Sequence, residues 1–175
     1  MAAGMSLLGV RACVGTAAVG SLRADWGPET LVLPNDFLDF TYRRLTMHSD
    51  RVEHVDFSDP FSWKLRTELR RAAERVGAEV HEGGIYVSMD GPRYETPHEI
   101  EMVRRLGGEL LGMTAASEAI VCREIGLPYA CISIVSNLAA GMTSDILDHA
   151  DVVSVLERAG DRVLSILLDW VDSHA

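Results

Sequence analysis

Short apolar runs alternate along this chain with stretches whose apolar positions recur at helical spacing. Residues 10–14 and 30–33 predict two short strands separated by a turn rich in Gly, Asp and Pro. Across 60–76, Leu65, Leu69, Ala72, Ala73 and Val76 fall on one helical face, and Gly77 supplies a stop. Residues 79–89 predict a strand interrupted at Gly83 and Gly84, which reads as a bulge. A helix is predicted over 97–106, with Pro97 at its start and Gly107 at its end. A strand over 109–113, a helix over 115–125 and a buried strand over 129–136 follow. From 151 a last helix carries Val152, Leu156, Ala159, Val163, Leu167 and Trp170 on one stripe. Alternation of the two periods predicts an α/β domain. No repeat, low-complexity tract or linker divides it, so residues 1–175 are read as one domain.

Composition narrows the function. The 175 residues are 47% hydrophobic, enough for a real core and too apolar for disorder. A net charge of −10 argues against a nucleic-acid surface, which needs a basic stripe. No apolar run is long enough to span a bilayer, and the start MAAGMSLLGVRACVG lacks the regions of a signal peptide. Cys13, Cys122 and Cys131 sit in apolar contexts without metal spacing, as buried free thiols of a cytoplasmic protein do. No metal site and no organic cofactor is expected.

The chemistry concentrates in GGIYVSMDGPRYET (83–96), LLGMTAASE (110–118) and IVSNLAAGM (134–142). Each closes a predicted strand in turn-forming and polar residues, where open α/β sheets hold their ligands. The first offers an aromatic face and a carboxylate, the second a thioether and a hydroxyl, the third an amide beside a small-residue loop. That inventory suits a purine nucleoside and an inorganic anion. The ordered trio resembles the nucleoside phosphorylase family that contains trimeric purine nucleoside phosphorylases and methylthioadenosine phosphorylases. The resemblance implies a doubly wound mixed sheet flanked by helices. It also implies phosphorolysis: phosphate replaces the purine on C1′ through an oxocarbenium-like transition state, with the base leaving as an anion. Such an enzyme holds phosphate below the sugar and stabilises charge spreading onto N7 and O6.

By the resemblance, Asn137 binds the base, its carboxamide donating to N7 and meeting O6. An Asn satisfying a turn is the plain alternative. Leu138 and Ala139 would line the same pocket. Glu95 would accept the N1–H of a 6-oxopurine, whereas adenine presents a lone pair there. It also stands before the helix at Pro97, where a carboxylate suits the helix dipole. Family members that use adenine typically lack this Glu and carry Asp at the Asn position, so Glu95 with Asn137 points to hypoxanthine and guanine nucleosides. Tyr94 resembles the aromatic that packs on the purine, and Met113 the residue against the ribose; either type is also common in a core. Thr114 matches a phosphate-binding hydroxyl, and equally an N-cap, with helix donors that favour anions behind it. The stretch 15–22, GTAAVGSL, resembles a second phosphate loop, with Ala17 and Ala18 at the matching positions. Family members often have a hydroxyl or amide where Ala17 stands, and tight strand–helix packing explains small residues as well. His149 aligns with the position that meets the nucleoside 5′ group, or faces solvent. His54, in an irregular segment over 35–59, matches a side chain that reaches into a neighbouring subunit's pocket, or belongs to a solvated loop.

The resemblance covers essentially the whole chain, yet the family's Gly-rich loop and its anion-gripping Arg-His pair have no counterpart in it. The expectation is a domain lacking the N-terminal strands, with a half-built phosphate site and impaired turnover. The sequence is therefore read as a 6-oxopurine nucleoside phosphorylase, forming a homotrimer or dimer of trimers, with phosphate as co-substrate. Methylthioadenosine or methylthioinosine phosphorylase is the alternative within the family. A non-catalytic nucleoside-binding or assembly paralogue is the alternative outside catalysis.

Overall fold

Strand β7 (Tyr129–Leu138) is apolar on both faces and organises the sheet around it. A computed structural model describes residues 2–43, 45–48, 50–143 and 149–174. The remaining elements are α1 (Ala2–Leu7), β1 (Cys13–Ser21), β2 (Leu31–Leu33), β3 (Asp36–Asp39), α2 (Trp63–Arg75), β4 (His81–Glu82), β5 (Ile85–Ser88), α3 (Pro97–Arg105), β6 (Leu110–Gly112), α4 (Ala115–Glu124) and α5 (His149–Asp172). The seven strands form one mixed sheet in the order β3-β5-β6-β1-β7-β2-β4.

Three strand assignments differ from the sequence reading, the first being β3, which forms beside β5 within the segment read as irregular. Residues 15–22 are not a loop after a strand: Cys13–Ser21 is a nine-residue strand, paired in parallel with β7 along its length. Small residues here serve a tightly packed central strand. Gly83 and Gly84 are not a bulge either. Both have positive φ, at 95° and 119°, and they break one predicted strand into β4 and β5, which lie in opposite halves of the sheet. Asn35 makes the matching bend between β2 and β3: its N–H donates to Gly84 O, and its Oδ1 accepts from Gly84 N. The sheet therefore curls.

Helices cover both faces. On one face Ala115, Ala119 and Cys122 of α4 pack on Ala17, Val19, Tyr86 and Val135. On the other, α2 and α5 bury Leu65, Leu69, Ala159, Val163 and Ile166 against Ile132 and Ile134. Farther along, α3 packs Ile100 and Val103 on Val87 and Leu111. Leu111 and Ile134 share a sheet face, since they pair with Gly20 and Ala18, alternate residues of β1. Hence α3 and α5 lie on the same face. Helix starts follow local chemistry: Ser62 caps α2, and Thr96 with Glu99 forms a complete capping box for α3. Of the predicted stripe of α5, Val152, Ala159 and Val163 are buried and Leu156, Leu167 and Trp170 are partly covered, while Val155 and Ile166 complete the buried face.

All three cysteines are free. Burial pushes the Cys131 thiol up to about 12. Among the described residues, no helix is long and apolar enough to cross a membrane.

Candidate active site

Between the loop before α3 and the first turn of α5 lies a cavity of about 440 Å³, at the ends of β6 and β7. Three segments distant in sequence converge on it, and β1 forms its floor. Tyr94 and Glu95 come from the loop before α3, Met113 and Thr114 from the corner between β6 and α4, and Asn137 and Ala139 from the end of β7. Ala17 and Ala18 enter from β1, and His149 from the first turn of α5.

Glu95 is buried, only 9% exposed. Burial, first, pushes its carboxyl above the ordinary range, and the nearby Glu99 charge adds to that; its own N–H and Arg93 oppose it. The helix-start duty considered for it falls elsewhere, because Thr96 and Glu99 cap α3. What remains is a shielded carboxyl on a cavity wall.

Thr114 occupies the N-cap position of α4 but makes no side-chain capping bond. The N–H groups of Thr114 and Ala115 donate instead to the buried Tyr86 hydroxyl, at 3.3 and 3.4 Å. The Thr114 side chain is exposed on the cavity side of a helix N-terminus. Ala17 and Ala18 contribute strand edge rather than loop. Their β7 side is laddered, and on the other edge β6 pairs only with Gly20 and Ser21.

Asn137 owes its place to an irregularity. The β1–β7 register shifts between Val19 and Gly20, so Val19 pairs with Val135 and Gly20 with Asn137. Ser136 is the extra residue of a bulge. Strand alternation would send Ser136 and Asn137 to opposite faces; the bulge brings both to the cavity. The same shift corrects the expectation for Leu138. It pairs with Ser21, one residue past Gly20, and faces away from the cavity, which it does not line.

His54 is exposed and outside the cavity. Sequence reasoning missed Ser136, Gly20, Leu111 and Val152 in the wall. It also missed Arg43, whose Nη1 donates to Met113 O and Ser117 Oγ at 3.0 Å each while Nε donates to Asp90 Oδ1 at 3.2 Å. Arg43 thereby fixes the Met113–Thr114 corner from behind. Nothing in its irregular sequence context marks it. Met113 is held from the front by Gly91, where any Cβ would strike the Met113 sulfur.

Among the described residues of the wall, His149 is the one side chain able to carry positive charge. The surface is otherwise apolar, with a carboxyl, an amide and hydroxyls placed around it. That arrangement suits a flat heterocycle with donors and acceptors on its edge.

The family model described as "Phosphorylase superfamily" matches residues 1–172. A probable 6-oxopurine nucleoside phosphorylase of Moorella thermoacetica is 39% identical over 171 residues, covering 95% of this chain and 66% of its own. The 6-oxopurine nucleoside phosphorylase of Pyrococcus furiosus is 37% identical, covering 92% and 64%. A probable S-methyl-5′-thioinosine phosphorylase of Methanopyrus kandleri is 38% identical, covering 93% and 64%. The chain thus spans just under two thirds of the length of these relatives. Methylthioadenosine phosphorylase from Schistosoma mansoni, solved with adenine, superposes with a TM-score of 0.90 at 26% identity, covering 98% of this chain and 68% of that one.

Proposed function

This chain belongs to the phosphorylase superfamily, and from that premise we propose that its cavity binds 6-oxopurine nucleosides for phosphorolysis to free base and ribose 1-phosphate. Glu95 carries the proposal: a buried carboxyl, without a cation of its own, on the wall that also holds Asn137. Ionised, it accepts the N1–H of hypoxanthine or guanine; adenine would set a lone pair against it. An unpaired buried polar group costs about 1–3 kcal/mol, which is roughly 5- to 150-fold in affinity. The relatives named above support the base class, since 6-oxopurine and thioinosine names both denote an oxygen at C6.

In the proposed reaction the C1′–N9 bond breaks with its electron pair going to the purine, and a phosphate oxygen bonds C1′. Asn137 donates to the purine edge where negative charge gathers. Tyr94 packs on the ring and Met113 on the ribose. Thr114 and the free edge of β1 at Ala17 and Ala18 receive phosphate. His149 meets the 5′-hydroxyl, which favours an ordinary ribose over a methylthio sugar. Inorganic phosphate is the co-substrate, and no organic cofactor enters the scheme.

Calorimetric titration with hypoxanthine and adenine tests this reading. Hypoxanthine should bind more tightly, and Glu95→Gln should erode the difference, because an amide can rotate to donate or accept. Tighter adenine binding by the unmodified chain would refute it.

A further inference from the structure

We infer that Ser136 is a positioning residue for Asn137: its hydroxyl fixes which end of the carboxamide meets a bound purine, and with it the preference for oxygen over an amino group at C6. The inference rests on the purine reading of the cavity. It starts from the bulge that puts two consecutive side chains, Ser136 and Asn137, on one face.

The Leu138 carbonyl can only accept, and it lies 2.9 Å from one end of the Asn137 carboxamide. That end is therefore Nδ2. The other end, Oδ1, lies 2.7 Å from Ser136 Oγ, which donates to it. Ser136 has one proton and a second acceptor within reach, Val19 O at 3.2 Å; the shorter contact takes the proton. With both ends held, the orientation is set. Nδ2 spends one hydrogen on Leu138 O and keeps one. It faces Gly20 and Ala139 on the cavity floor, where a Cβ built on Gly20 would lie 3.5 Å from it. A C6 oxygen or N7 accepts from that N–H, whereas a C6 amino group opposes it. Without the hydroxyl, only the Leu138 bond resists rotation of the amide, and the reversed form would accept from adenine's amino group.

The test uses the full 175-residue chain and three variants, S136T, S136V and S136A. Thr and Val have the same shape and differ in the hydroxyl; Ala serves if a branched side chain does not fit the bulge. Each is titrated with hypoxanthine and with adenine, and the ratio of the two affinities is read. The unmodified chain and S136T should keep the hypoxanthine preference. S136V and S136A should lose about fivefold of the ratio, the worth of one neutral hydrogen bond. An unchanged ratio in the variants without the hydroxyl would overturn the inference while leaving the purine reading intact. So would an equal loss in S136T. If the unmodified chain binds neither base, the purine reading fails and this inference falls with it.

Discussion

Arg93 holds Glu99 and not Glu95: its Nη1 and Nη2 donate to the two Glu99 oxygens at 2.9 and 2.8 Å. The Arg93 bonds, with the Thr96 N–H, hold the Glu99 carboxyl down to about 2. The nearest cation to Glu95 is thus committed to the cap of α3, and Glu95 stays in the cavity wall with its carboxyl raised by burial. Folded protein holds that proton more tightly than unfolded protein does. Stability contributed at this site therefore falls as pH rises from the ordinary carboxylate range through the raised folded value. Glu95→Gln should remove the slope and stabilise the ligand-free chain near neutral pH by about 0.5–2 kcal/mol. Thermal unfolding from about pH 4 to about pH 8 should show the gap between the two proteins widening with pH. A constant gap would contradict this.

Two threonines at helix starts should behave oppositely. Thr96 caps α3 through Glu99 N, and Thr114 caps nothing. Thr96→Ala should cost about 1 kcal/mol of stability and leave ligand binding alone. Thr114→Val should change stability by less than about 0.5 kcal/mol. It should weaken phosphate binding about tenfold or more, the loss of a bond to a charged group. Denaturant midpoints and phosphate titration on both variants separate the two roles.

Tyr86 lies over Gly112, and any Cβ at 112 would overlap the phenol. That phenol oxygen accepts from the first N–H groups of α4. Gly112→Ala should therefore destabilise by about 1–3 kcal/mol, as overpacking does. Adding Tyr86→Phe, which removes the clashing oxygen, should return part of the loss. Full additivity in a double-mutant cycle would show that the two positions are uncoupled.

Phosphate brings up to two negative charges to a wall whose described side chains include one potential cation, His149. Binding of phosphate by this chain alone should be about millimolar or weaker, and inosine phosphorolysis correspondingly slow. Calorimetry with phosphate in the presence of hypoxanthine, and release of hypoxanthine from inosine, measure the two quantities. Tight phosphate binding would mean that the anion finds partners outside this wall. Tight base binding with no turnover at all would favour a nucleoside-binding role.

His54 is exposed and does not line the cavity of its own chain. If it completes a neighbour's site, as the resemblance implies, the chain should assemble as a trimer or a dimer of trimers. Light scattering gives the stoichiometry. His54→Ala should then weaken nucleoside binding while free-base binding is kept. A monomer that binds inosine as well as its variant does would count against a shared site.

Local chemistry made much of this protein legible before any coordinates. Helical spacing with stops at Gly77 and Gly107 located α2 and α3 within a few residues, since caps and periodicity are properties of neighbouring residues. The apolar run at 129–136 announced a strand buried on both faces, and β7 is one. The three motifs hold Tyr94, Glu95, Met113, Thr114, Asn137 and Ala139, which meet in the cavity, while Leu138 of the third does not line it. These meet because the short β6, antiparallel to β7 across β1, ends beside the end of β7.

Tertiary pairing decided the rest. Whether 15–22 is loop or strand depends on β7 lying beside it, and no feature inside GTAAVGSL records that partner. Gly83 and Gly84 announced a break, but only the curl of the sheet sends β4 and β5 to opposite halves. The bulge at Ser136 is a mismatch between two strands more than a hundred residues apart, visible in the register alone. It turned Leu138 out of the cavity and brought Asn137 in beside Ser136. Sequence determined which side chains carry chemistry, because hydroxyl, amide and carboxyl are written in the residues themselves. The fold decided which way they face, because a strand's facing is fixed by its neighbour's register and not by its own order.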